Sequence, residues 1–104
     1  MIRMIRIKEP KKQTPEGNTL KAVKHHLFLK GYYVIRIQQG LGCHKGITDL
    51  IAIKDSKVLF IEIKSDSIRS KQSPYQIEFQ REIEAHGGTY MLVRSVEELI
   101  YAQI

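Results

Sequence analysis

A chain of 104 residues, 42% hydrophobic and 27% charged, is long enough for one hydrophobic core and too short for two, so residues 1–104 are expected to form a single domain. Its 17 Lys and Arg against 11 Asp and Glu, a formal charge of +6, favour a polyanionic partner, with nucleic acid the natural candidate. Cys43 alone excludes an intrachain disulfide, no apolar run is long enough to span a bilayer, and Met1 to Lys8 interleave basic residues too closely for a signal peptide; together these predict an intracellular, cytoplasmic protein without a membrane partner.

The basic segment 1–13 reads as an N-terminal arm or strand, with 8–14 polar and irregular. Thr14-Pro15-Glu16 then has the order of N-cap, first-position proline and first-turn acid, predicting a helix over 15–30 with Leu20, Val23 and Leu27 as its buried stripe and Gly31 as its stop. Residues 32–38 (Y-Y-V-I-R-I-Q) read as a strand. The glycine-rich 39–46 reads as a loop without the spacing of a Walker phosphate loop, and Lys45 in it is placed either to touch a DNA phosphate or to remain a solvated loop lysine. Neither His25-His26 nor Cys43-His44 has the spacing of a structural zinc motif.

Residues 48–53 (T-D-L-I-A-I) and 58–64 (V-L-F-I-E-I-K) flank the polar turn Lys54-Asp55-Ser56-Lys57, the pattern of an antiparallel hairpin. A turn centred between Asp55 and Ser56 pairs Ile53 with Val58, Ile51 with Phe60 and Asp49 with Glu62, and the period of two puts Lys64 on the face of Glu62. Directly opposed acids are destabilising, and burial and repulsion would push a proton onto one of them. A bound divalent cation removes that conflict, since Mg²⁺ prefers carboxylate, water and phosphate oxygens. A lysine beside it could orient or deprotonate water and offset charge on a phosphorane-like transition state. These parts describe metal-assisted hydrolysis of a phosphodiester. E-x-K by itself more often describes an ion pair on a solvated strand, so Gly46-x-x-Asp49 at the start of the partner strand carries weight; a glycine there lets the backbone bend and approach a ligand closely.

The stretch 65–72 brings Arg69 and Lys71 close to Lys64. Ser73-Pro74-Tyr75-Gln76 opens a helix to about residue 86, ended by Gly87-Gly88, with Tyr75, Phe79 and Ile83 on one side. Ser73-x-x-Gln76 is a capping box in which the glutamine reaches back to the cap amide. Residues 89–94 (T-Y-M-L-V-R) form a fourth strand, and Ser95-x-x-Glu98 is expected to cap a last helix buried through Val96, Leu99 and Ile100. The order α-β-β-β-α-β-α, with a right-handed parallel crossover through the second helix, predicts an α/β fold of the restriction-endonuclease-like kind, a central mixed sheet of about four strands flanked by helices.

From Thr14 onward the chain resembles the VRR-NUC branch of the PD-(D/E)XK nuclease superfamily. Gly46-Ile47-Thr48-Asp49 is similar to its G-x-x-D, Phe60-Ile61-Glu62-Ile63-Lys64 to its strand ending in E-x-K, Ser73-Pro74-Tyr75-Gln76 to its S-P-x-Q, and Val93-Arg94-Ser95 with Glu97 and Glu98 to the ending of many members. Thr48 stands where members commonly have proline, and the stretch from Lys64 to Gln76 is longer than usual. The resemblance implies that Asp49, Glu62 and the Ile63 carbonyl bind Mg²⁺ or Mn²⁺, with Glu16 a further ligand in placement. It also implies that Lys64 positions the attacking water and that Gln76 supports Lys64 or a phosphate, a role one amide could not fully combine with capping. Stand-alone members resemble viral enzymes acting as homodimers on branched DNA such as four-way (Holliday) junctions, which implies a structure-selective endodeoxyribonuclease with Lys45, Arg69 and Lys71 on DNA. A non-catalytic nucleic-acid-binding module, or a nickase, flap nuclease or exonuclease on the same fold, are the alternatives.

Overall fold

The computed structural model describes residues 14–65 and 70–104; the arm at 1–13 and Arg69 lie outside them. The elements are α1 (Pro15–Leu29), β1 (Tyr33–Arg36), β2 (Leu50–Lys54), β3 (Lys57–Ile63), α2 (Pro74–Ala85), β4 (Thr89–Val93) and α3 (Val96–Tyr101). The expected element order is therefore present, with β1, β2 and β4 shorter than the apolar runs suggested and β3 of the expected length, starting one residue earlier. Among the described residues the sheet is four-stranded, in the order β1-β2-β3-β4. The first three strands are antiparallel neighbours, and β3 pairs β4 in parallel, which makes the sheet mixed as expected.

Local chemistry accounts for the element ends. The Thr14 side chain accepts from the Gly17 amide at 3.0 Å, Pro15 occupies the first turn, and Gly31 at φ +89° follows the Lys30 C-cap. The hairpin turns on Asp55 (φ 49°) and Ser56 (φ 66°); two left-handed central residues match the right-handed twist of the flanking strands. The resulting pairs, Ile53 with Val58 and Ile51 with Phe60, are those the turn position predicted.

Alternation in the strands then sorts the two faces. Leu50, Ala52, Leu59, Ile61, Ile63 and Val93 pack with Val23 and Leu27 of α1 and Leu99 of α3 as the core, each large side chain stabilising by roughly 1.5–3 kcal/mol relative to exposure. On the opposite face α2 covers β3 and β4 through Phe79, whose ring lies 5.8 Å from that of Phe60 and 6.4 Å from that of Tyr90. Two expectations for α3 fail. Ser95 makes no side-chain cap bond; the Glu98 amide that would donate to its hydroxyl bonds the Ser95 carbonyl at 3.2 Å, and the Glu98 carboxylate accepts from the Arg94 amide. Ile100 is 58% exposed, since a helix of six residues presents only Leu99 squarely to the core. Among the described residues no helix is long and apolar enough to cross a membrane.

Candidate active site

Asp49 immediately precedes β2 and Glu62 is the penultimate residue of β3, so the hairpin register sets the two acids side by side at one end of the sheet. Asp49 is held there by its backbone carbonyl, which accepts from the Ile37 amide at 2.9 Å, and by its side chain, whose Oδ2 accepts from the Ile63 amide at 2.8 Å. Glu62 is 2% exposed. Burial pushes its carboxyl up from 4.5 to about 8, the adjacent Asp49 adds to the rise, and Lys64 opposes it. The conflict expected from the sequence is present in the fold.

Lys64 leaves β3 with its amide donated to the Val93 carbonyl at 3.0 Å, and its Nζ reaches to 3.9 Å from Glu62 Oε1. That oxygen also accepts from Gln76 Nε2 at 2.9 Å. Gln76 therefore supports Glu62, on the same oxygen that Lys64 faces. The conflict between its two roles also disappears: Gln76 Oε1 accepts from the Ser73 amide at 2.9 Å while Ser73 Oγ accepts from the Gln76 amide at 3.2 Å. One end of the amide closes the capping box and the other donates to the buried carboxylate, so both ends have partners. The long stretch between Lys64 and Gln76 does not carry the glutamine away from the acids.

Gly46 belongs to the same joint, for a different reason from the one its sequence position suggested. At φ +79° its backbone runs so close to α2 that a Cβ would fall 2.1 Å from the Tyr75 carbonyl oxygen and 2.9 Å from the Gln76 nitrogen. The close approach is to the first turn of α2, which sets the distance between Asp49 and Gln76. Lys45 places its Nζ 4.9 Å from the centroid of the Tyr75 ring, a cation held beside this turn. Lys71 is exposed.

Glu16 lies at the rim. With Asp49, Ile63, Thr14, Gly17, Leu20 and Arg36 it lines a cavity of about 220 Å³, but its Oε1 accepts from the Ser65 amide and Ser70 Oγ, both at 3.1 Å. It thus tethers the chain beyond Lys64, and its charge adds a small upward push on Glu62. Arg94 clasps the same segment from the other side: its guanidinium donates to the Ser65 carbonyl, and Nη2 donates to the Ser70 carbonyl at 2.9 Å. The V-R-S motif pointed at Arg94 without indicating this work. Arg36 was missed altogether. It pairs with Leu50 in the sheet, one residue from Asp49, and lines both cavities that Asp49 lines; extending the strand register across β1 would have found it.

Among the described residues no three His, Cys, Asp or Glu side chains cluster closely enough to hold a metal, so Glu16 does not complete a carboxylate triad. Two acids plus a backbone oxygen remain a fitting set for a hard divalent cation that keeps several waters. The structural test is the second Glu62 oxygen: Oε2 is buried and no donor reaches it among the described residues; Glu62 is hydrogen-bonded to Asp49 only while a proton lies between the two acids, and a cation would take that proton's place.

No family model matches the sequence, and no curated protein does. Among solved structures, one described as "VRR_NUC domain" superimposes with a TM-score of 0.72 over 85% of this chain and 96% of its own, at 24% identity. The fold of this chain is that of a VRR_NUC domain.

Proposed function

We propose that the protein is a divalent-metal-dependent endodeoxyribonuclease of the VRR-NUC type that hydrolyses phosphodiester bonds in branched DNA, four-way junctions in particular. The observation that carries the reading is the buried Glu62 carboxyl beside Asp49, with one oxygen that no donor reaches among the described residues and Lys64 Nζ 3.9 Å from the other. Asp49, Glu62 and the Ile63 carbonyl would hold Mg²⁺ or Mn²⁺, which when bound lowers the pKa of water and polarises the phosphate. Lys64 orients the attacking water and offsets the negative charge that grows on the phosphate oxygens. Gln76 fixes the Glu62 carboxylate, and the Ile63 amide fixes Asp49. Glu16 and Arg94 hold the segment after Lys64 so that the ammonium keeps its place.

Junction cleavage on both strands calls for two sites, and a homodimer supplies them. The part of the outer sheet face that α2 leaves uncovered, with Ile35, Ile53 and Val58 between 37% and 39% exposed, supports a second copy packing there. Lys45 and Lys71 serve as phosphate contacts beside the site, and Arg69 and the 1–13 arm are assigned the same partner on charge.

The test is incubation of purified protein with a labelled four-way junction, a flap and a linear duplex, each with Mg²⁺ or Mn²⁺. Cutting that prefers the junction, lost in Asp49→Ala and Lys64→Ala while junction binding persists, is the expected result. Equal cutting by the variants would sink the catalytic assignment. Salt-sensitive binding with no cutting by the unmodified protein under either metal would identify a binding module instead.

A further inference from the structure

Charge is segregated over the surface of this molecule. The α2 and α3 faces carry Glu78, Glu82, Glu84, Glu97 and Glu98, with Arg81 the one arginine or lysine between Pro74 and Val93. On α1 the single acid is Glu16, already engaged at the site, and every charged residue that follows it up to the helix end is basic. Lys21, Lys24, His25 and Phe28 recur at i, i+3, i+4 and i+7, so they form one stripe along the helix.

That stripe is one wall of a groove. With Tyr32, Tyr33 and Val34 at the start of β1 it encloses a cavity of about 580 Å³. Phe28 is 71% exposed and Tyr33 69%, large apolar side chains that contribute little to the core. Because β1 is a terminal strand of the described sheet, the groove follows a strand edge. No Asp or Glu lines it among the described residues. An aromatic wall interleaved with cations, free of acids, fits a polyanion that also offers flat apolar faces, and unpaired nucleotides have both properties.

We infer that the groove between α1 and β1 is a second DNA contact, which holds an unpaired strand segment by base stacking on Phe28 and phosphate contacts from Lys21 and Lys24. The inference rests on the nuclease reading for the choice of DNA as ligand. Each wall of the groove belongs to an element, α1 or β1, that also lines the cavity at Asp49. On α1, Lys21 to Phe28 lie roughly 8 to 18 Å along the helix axis from Glu16. On the other wall, Arg36 is about 10 Å along β1 from Tyr33 and lines the cavity that contains Asp49. A strand cut at Asp49 and Glu62 therefore reaches the groove within a few nucleotides, with Arg36 on the path between them. Such a contact selects DNA that is unpaired near the cut, as at the branch of a junction or flap, and offers less to an intact duplex.

Fluorescence anisotropy of a labelled twelve-nucleotide oligo-dT, titrated with the full chain in EDTA, tests this. Phe28→Ala is expected to weaken binding roughly tenfold, and Phe28→Tyr, which keeps the stacking face, to bind as the unmodified chain does. Replacing Lys21 and Lys24 with Ala should reduce the slope of log affinity against log salt by about 1.4, as expected for two phosphate contacts on a single strand. Unchanged affinity and slope in these variants overturn the inference. So does unchanged affinity accompanied by conversion of a dimer to monomers in light scattering, because the groove would then be covered by a second copy. The side chains involved are exposed, so the variants fold. Cutting is not the readout: groove-dependent binding by a protein that never cuts would sink the nuclease reading alone, and junction cutting with normal oligo binding by the groove variants would sink the groove alone.

Discussion

Glu62→Gln separates the electrostatic reading of the site from a purely structural one. In the native fold burial and Asp49 raise the Glu62 carboxyl from 4.5 to about 8, so without a cation the folded chain keeps a proton that the unfolded chain loses near 4.5. Stability from this group is therefore complete below about pH 4.5, falls as pH rises between the two values and levels off above about 8. At about 1.4 kcal/mol per tenfold difference in proton affinity, the rise sets an upper bound of roughly 5 kcal/mol; the titration belongs to the Glu62–Asp49 pair and not to Glu62 alone, and the change expected here is smaller, on the order of 2 kcal/mol. The Glu62→Gln side chain keeps the acceptor for Gln76 Nε2 and gives Asp49 a permanent donor, with nothing to titrate. Urea and thermal melts in chelator should show the variant matching the unmodified protein near pH 4.5 and exceeding it by about 2 kcal/mol at pH 8, or roughly 10 °C in Tm for a domain of this size. Mg²⁺ at pH 8 should stabilise the unmodified protein and have a smaller effect on the variant, which should not cut DNA. Parallel stability curves from pH 5 to 8, or a variant less stable at pH 8, would refute the reasoning.

Two further substitutions probe the joint between the acids and α2. Gly46→Ala puts a methyl group 2.1 Å from the Tyr75 carbonyl oxygen at φ +79°, and should destabilise by roughly 2–4 kcal/mol in urea melts while lowering cleavage, through overpacking and left-handed strain together. Gln76→Glu keeps an acceptor for the Ser73 amide and exchanges the donor to Glu62 for a like charge; helix content by circular dichroism should hold while cleavage falls by about 10- to 100-fold, a split that a merely capping glutamine would not give.

The carboxylate pair was legible in the sequence because strand alternation and one turn position fix a parity, and parity needs no tertiary information. Asp49, Glu62 and Lys64 share a face for that reason. The start of α2 was equally local, since Ser73, Pro74 and Gln76 satisfy each other within one helical turn. Arg94 was different: its partners Ser65 and Ser70 lie 29 and 24 residues away, and only the parallel docking of β4 on β3 brings them together. Gly46 was singled out on the right residue for the wrong contact, because a sequence shows that a backbone can come close to something and not what that is. The two uses of Gln76 look exclusive from the sequence because its two bonds leave from opposite ends of one amide, a directional fact that residue spacing does not encode. On α1 the basic stripe was readable at helical spacing, but the groove beside it depends on where the β1 edge falls.

The Asp55–Ser56 turn also sets how this gene can change length. An exposed two-residue turn is ordinarily where insertions are tolerated. Here one added residue would exchange the faces of β3, sending Glu62 and Lys64 toward the α1 side of the sheet and Ile61 toward α2, whereas two added residues could be absorbed in a longer turn with every strand pair intact. Acceptable changes of length at this hairpin should therefore come in even numbers, a reading-frame rule written in side-chain direction.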